Sequence, residues 1–199
     1  RAGTKVGTYS ISATAVSNGR QGFGQVSLTP GPADHFQGNR LIAAPPEVQV
    51  AGASATVTGL LLDEYDNAIA DATVSLSATI GSIDPSARTQ VDGSFSATFV
   101  PSSVAGLAVV SARAGVAAAS VTIKVNTGPG SSIMVIYAPV SLVANNGGPG
   151  GTDSLVVQVR DAAGNLVPDG TIVNFSVSDG SITNAVPTGT ISWGGAQYV

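Results

Sequence analysis

The sequence predicts an all-β protein of tandem antiparallel β-sandwiches, and three observations carry that prediction. Long segments of the chain recur at a period of 98 to 99 residues. Apolar and polar residues alternate strictly over short runs, which is the pattern of a strand with one buried face. Turn-forming residues separate those runs at short intervals, as in sandwiches.

The repeat is the firmest of the three. Residues 63–71, beginning Asp63-Glu64-Tyr65-Asp66-Asn67 and ending at Asp71, recur as residues 161–169, beginning Asp161-Ala162-Ala163-Gly164-Asn165 and ending at Asp169, at an offset of 98. The following strand matches at an offset of 99: Val74, Leu76 and Ala78 with Val173, Phe175 and Val177, then Gly81-Ser82-Ile83 with Gly180-Ser181-Ile182. A second match covers the rest of the unit, aligning Gly7, Ser12, Ala13 and Ala15 with Gly106, Ser111, Ala112 and Ala114. Gly31-Pro32 aligns with Gly128-Pro129. A period of this length is one immunoglobulin-sized sandwich.

Each element of the unit reads as a strand. Residues 73–79 place Val74, Leu76 and Ala78 on one face, and residues 94–99 do the same with Phe95, Ala97 and Phe99. Turns are expected at Asp66-Asn67, Gly81-Ser82, Asp92-Gly93, Gly106 and Gly115. No window carries a clean 3.6-residue apolar stripe, so helix content should be near zero. Residues 104–125 are apolar enough to suggest a membrane span. Arg113, Lys124 and the interspersed serines and glycines fit two strands and a turn better, so this segment is not expected to insert into a membrane.

These residues also resemble a known family. Residues 161–176 (Asp-Ala-Ala-Gly-Asn-Leu-Val-Pro-Asp-Gly-Thr-Ile-Val-Asn-Phe-Ser), residues 91–100 (Val-Asp-Gly-Ser-Phe-Ser-Ala-Thr-Phe-Val) and residues 105–112 are similar to the bacterial immunoglobulin-like group 1 repeat of the invasin and intimin type. The resemblance covers nearly all of the middle unit. It departs at Asp66, where glycine is usual, and is looser around Trp193. It implies tandem immunoglobulin-like antiparallel β-sandwiches in an extracellular or bacterial cell-surface protein. Repeats of that family form adhesin stalks, with binding carried by a different terminal domain.

Three segments follow from the repeat. Residues 1–35 read as the closing strands of a partial unit, 40–130 as a complete unit, and 131–199 as the opening strands of another. Residues 196–199 resemble residues 97–100, so the two partial units sum to almost one whole. That suggests either a piece of a longer array or head-to-tail completion of one chain by the next, which would build a filament. The expected partners are neighbouring immunoglobulin-like units or copies of the chain itself.

Composition limits the other function classes. The chain has 199 residues, 43% of them hydrophobic and only 10% charged, with a net charge of −4. Eight scattered Lys and Arg residues form no basic stripe for nucleic acid. The chain has no cysteine, so disulfides and thiolate metal sites do not arise. His35 is the single histidine, read as a surface residue in the Gly-Pro-Ala-Asp-His linker, and no nucleophile pattern accompanies it. No catalytic, cofactor-binding or metal residue is assigned, and no enzyme activity is expected.

Two kinds of binding residue stand out. Asp63, Glu64, Asp66 and Asp71, with Asp161 and Asp169 in the repeat, offer oxygen ligands for calcium. Asp and Asn also serve turns directly, by accepting backbone hydrogen bonds and tolerating left-handed conformations, and that reading is preferred. Among Tyr9, Phe23, Phe36, Tyr65, Tyr137, Trp193 and Tyr198, the glycine-flanked Phe23 and Trp193 are the candidates for a sugar-stacking surface; a carbohydrate-binding or adhesive module is the alternative function. The runs 19–24 and 145–151 are glycine-rich but flanked by strand patterns, so they read as hairpin tips and not phosphate loops. The sequon at Asn174 lies within a predicted strand.

Overall fold

The computed structural model describes residues 3–138, 154–182, 186–189, 191–193 and 196–198, the side chains of 191–198 excepted. Contacts group the chain into two compact units. The first comprises Arg1–Val48, Gly52–Ser102 and Leu107–Lys124; the second comprises Gln49–Ala51, Ser103–Gly106 and Val125–Val199. Strands dominate both, and the one helical element among the described residues is a 3-10 turn at Gln37–Asn39. No helix among them is long and apolar enough to cross a membrane.

Strands β1 (Gly7–Thr14) and β2 (Gln21–Leu28) form an antiparallel hairpin in register from Gly7↔Leu28 to Thr14↔Gln21. Its turn lies at residues 15–20, closed by the N–H groups of Asn18 and Gly19 on the Ala15 carbonyl. Gly22 and Gly24 therefore lie inside β2 and not at the hairpin tip, because the ladder runs on through them. The other glycine run, 145–151, is outside the described residues.

A two-sheet sandwich follows. Its strands are β3 (His35–Phe36), β4 (Ile42–Ala44), β5 (Glu47–Gln49), β6 (Ala55–Leu62), β7 (Thr73–Ala78), β8 (Ser82–Ile83), β9 (Ser86–Arg88), β10 (Ser94–Val100), β11 (Gly106–Ala114) and β12 (Ala117–Asn126). One sheet runs β3-β6-β10-β8, with β4 also on β6; the other runs β5-β12-β11-β7-β9. Alternation decides what is buried. Val74 and Leu76 of β7, Phe95, Ala97 and Phe99 of β10, and Ala108, Val110, Ala112 and Ala114 of β11 all face the core; the residues between them face away from it, polar ones except for Val109 of β11. Phe36 packs on Phe95 with ring centroids 5.8 Å apart. Each buried Phe, Leu or Val contributes about 1.5–3 kcal/mol by leaving water. Gly59, the register partner of Phe95 on β6, leaves room for that ring: a Cβ there would stand 2.6 Å from it. Residues 104–125 thus form two strands and a turn. Gly106 begins β11 with φ 146 and is not itself a turn residue.

In the second unit, β13 (Gly130–Tyr137) pairs with β14 (Val156–Asp161). Val159, Val167 and Val173 make a small core, with Val157 and Phe175 against it. β15 (Ile172–Val173) pairs with β16 (Val186–Pro187). Its counterpart β7 runs six residues because β11 and β9 flank it. The predicted alternation to Val177 stops short here: Val173 is buried, while Val177 is exposed. β17 (Ile191–Trp193) pairs with β18 (Ala196–Tyr198) as a short hairpin, whereas the matching residues of β10 lie in a wide sheet.

Candidate functional site: a repeated Asp–Asn loop

The acidic cluster singled out in the sequence forms a loop after β6. Asp63 is 2% exposed although it is a carboxylate. Burial alone would push its carboxyl up. Hydrogen bonds outweigh that effect and hold it at about 2, below its ordinary 3.8. Its Oδ1 accepts the N–H groups of Tyr65 and Asn67, each at 2.9 Å, and its Oδ2 accepts the N–H of Gly31 at 2.9 Å. The Asn67 side chain donates to both oxygens, at 3.0 and 2.9 Å.

Asn67 also reaches back along the chain. Its Nδ2 donates to the Thr4 carbonyl at 2.8 Å, and its Oδ1 accepts the Val6 N–H at 3.1 Å. The carboxamide therefore matches one peptide C=O and the N–H two residues on. Its orientation is fixed, because Nδ2 faces only acceptors. Together Asp63 and Asn67 grip both ends of the hairpin base: Thr4 and Val6 before β1, and Gly31 after β2.

The same network stands one repeat later, inside the second unit. Asp161 Oδ1 accepts the N–H groups of Ala163 and Asn165, at 2.9 and 2.8 Å, and Oδ2 accepts that of Gly128 at 2.9 Å. Asn165 donates to both Asp161 oxygens, at 3.3 and 3.0 Å, and to the Ser103 carbonyl at 2.8 Å, and accepts from Ala105 at 3.2 Å. Burial raises the Asp161 carboxyl, the hydrogen bonds lower it, and the net direction is down. The turn geometry repeats too: the N–H of Asp66 bonds the Asp63 carbonyl, and that of Gly164 bonds the Asp161 carbonyl.

A second repeated latch was not visible in the sequence. The N–H of Asp71 bonds the Thr89 carbonyl, and Thr89 Oγ1 accepts the Ala72 N–H at 2.8 Å. One repeat on, Gly170 and Thr171 make these bonds to Thr188. Asp71, with φ 57, thus corresponds to Gly170, with φ 88, and not to Asp169. The extra residue of the later repeat falls between Val167 and Gly170. Identity misplaced the step because Asp and Gly share the left-handed conformation there, not a side chain.

The remaining candidates fall into place around these loops. Tyr65, Glu64 and Asp66 sit on the exposed rim of the first loop. His35 lies not in a linker but in β3, paired with Leu62. Its Nδ1 stands 3.1 Å from Asp34 and its Nε2 3.1 Å from Asp66. Asp71 pairs with Arg88 at 3.0 Å. No group of three or more metal-ligating acids or histidines is present among the described residues. The oxygens of Asp63 and Asp161 are already committed to N–H donors, which is turn chemistry. Phe23 is 76% exposed on β2, Phe36 is core, and the Trp193 side chain is outside the described residues.

Two sheets of alternating strands, closed by a hairpin, define an immunoglobulin-like sandwich. The chain superposes on the Escherichia coli adhesin FdeC with a TM-score of 0.56 at 18% identity, covering 98% of this chain and 64% of that one. For invasin, described as a bacterial integrin-binding protein, the values are 0.56 and 21%, covering 86% and 38%. For InvD of Yersinia pseudotuberculosis they are 0.54 and 19%, covering 94% and 62%. The chain thus spans between about two fifths and two thirds of these structures. At such identities the likeness is one of fold. No protein-family model and no curated protein matches the sequence.

Proposed function

We propose that this chain is a non-catalytic structural module of a bacterial cell-surface or extracellular protein, a spacer of stacked immunoglobulin-like repeats of the adhesin-stalk kind. The observation that carries the reading is the Asp–Asn loop, built twice with the same bonds and each time tied to the closing hairpin that precedes it in sequence. A loop spent on holding neighbouring main chain suits a stalk better than a ligand site. The likeness in fold to adhesins supports the surface location. Gold labelling of intact cells that produce the whole protein tests it: label outside the cell is expected, and label found only after permeabilisation overturns it.

A second reading, assembly into a filament by strand complementation, draws on the β1–β2 hairpin. Tyr9 and Ile11 on one strand and Val26 on the other share an apolar face, and all three are exposed. The matching strands β11 and β12 bury that face in the sandwich. Opening strands from another immunoglobulin-like repeat would cover it. Mass photometry of the purified chain across concentrations tests this: growing open-ended oligomers are expected, and a monomer at all concentrations rejects it.

A further inference from the structure

We propose that the Asp–x–x–x–Asn loop is a receptor for main chain, through which each repeat grips the hairpin base of the repeat before it, whatever side chains that hairpin carries. This rests on the reading of the chain as a repeat array and names the partner of the loop. All groups it takes hold of are peptide groups: the carbonyl of Thr4 and the N–H groups of Val6 and Gly31 in the first copy, and those of Ser103, Ala105 and Gly128 in the second. Two of the three gripped residues change between copies, Thr4 to Ser103 and Val6 to Ala105, while the glycine is kept, and every bond is kept with them. The gripping residues are the same two, Asp and Asn. The side chains of the grip therefore all come from the following repeat. The preceding repeat supplies only a carbonyl, an N–H two residues on, and a glycine N–H after its last strand.

The chemistry makes the two gripping residues non-interchangeable. Asn67 Nδ2 faces the Asp63 carboxylate and the Thr4 carbonyl, all acceptors. An aspartate there would set oxygen against three oxygens. The carboxylate of Asp63 faces only donors, so an amide there would turn a donor toward a donor.

The test uses the whole chain and amide hydrogen exchange. Asn67→Asp should speed exchange at Val6 and Gly31 by at least about tenfold, through local opening of the grip. Ala105 and Gly128 should keep their protection, as should the amides of β6 and β10, which report that the sandwich is intact. Asn165→Asp should do the reverse, and it remains readable if Asn67→Asp does not fold. Thr4→Ala and Val6→Ala should leave both amides protected. Unchanged exchange at Val6 and Gly31 in Asn67→Asp, or release by Thr4→Ala equal to that by Asn67→Asp, overturns the proposal. Either failure leaves the surface-labelling result standing, so the two readings fail separately.

Discussion

The Asp63 loop and the Asp161 loop share a skeleton and differ in how each is pinned at the outer edge. At the left-handed corner the first loop has Asp66 with φ 59, and the second has Gly164 with φ 89. Asp66 turns that strained position to use: its carboxylate meets His35, which also meets Asp34. Gly164 offers no side chain, and its carbonyl is held instead by the guanidinium of Arg160, whose Nε also bonds Gln158 at 2.9 Å. Lys5 adds a bond to the Tyr65 carbonyl at 2.8 Å in the first loop, where the second repeat has Val104. The inner bonds, to a buried Asp and its Asn partner, are the same in the two. The outer ones are interchangeable solutions to one problem, satisfying a turn that sticks out of the sandwich.

Breaking the inner network should therefore cost far more than breaking the outer one. Asp63→Ala leaves the N–H groups of Gly31, Tyr65 and Asn67 and the Asn67 carboxamide without their acceptor. An orphaned buried donor costs about 1–3 kcal/mol, so several together should lower stability by on the order of 3 kcal/mol. Urea unfolding followed by far-UV circular dichroism measures it. A midpoint that moves by less than the equivalent of about 1 kcal/mol would mean the loop is ornamental.

Acid probes the same bonds without mutation. The Asp63 carboxyl is held at about 2, below its ordinary 3.8. A group with a depressed folded value contributes stability above its unfolded value and loses it as pH falls toward the folded one. The contribution should be intact at pH 6 and fade from about pH 4 to pH 2, amounting to about 2 kcal/mol. Asp161 is shifted in the same direction, so the second unit should weaken in acid as well. Urea midpoints measured from pH 6 to pH 2 give the slope for the wild type. Asp63→Asn, already lacking the charge, should show a visibly shallower decline.

How much of this the sequence disclosed depends on the range of the interaction. Alternation along one strand is local, so the buried faces of β7 and β10 were readable from Val74 and Leu76 and from Phe95, Ala97 and Phe99. The turn role of Asp63 was readable for the same reason, since its Tyr65 and Asn67 bonds span two and four residues. The grip on Thr4, Val6 and Gly31 was not, because Asn67 meets Thr4 and Val6 across 63 and 61 positions, Asp63 meets Gly31 across 32, and only their main chain takes part. Main-chain partners leave no trace in residue type. The Thr89 latch escaped notice because a single threonine between turns carries no pattern. The pairing of β17 with β18 escaped because residues 196–199 look like β10, and likeness of side chains does not specify which strand lies alongside.

Gly164→Ala sharpens the contrast at the corner. A Cβ at Gly164 would meet nothing within 4 Å, so the substitution isolates the backbone. Alanine at a left-handed position costs about 1 kcal/mol. The loss should appear in the second unit, as faster exchange of the Val167 amide, which bonds the Val159 carbonyl. Asp66 already tolerates that conformation, so Asp66→Gly should be close to neutral, strain relief offsetting the loss of its contact to His35.

The smallest effect belongs to His35. Both of its carboxylate partners are well exposed, and exposed pairs of this kind contribute about 0–1 kcal/mol. His35→Ala should therefore move the urea midpoint by well under what Asp63→Ala does. What little it does should shrink further in high salt, which screens exposed charges. Added salt should leave the Asp63→Ala deficit nearly unchanged, because those bonds are buried and run to neutral donors. If His35→Ala instead matched Asp63→Ala in size, the division between an invariant inner network and an interchangeable outer pin would collapse. The first loop would then depend on a contact that its own repeat does without.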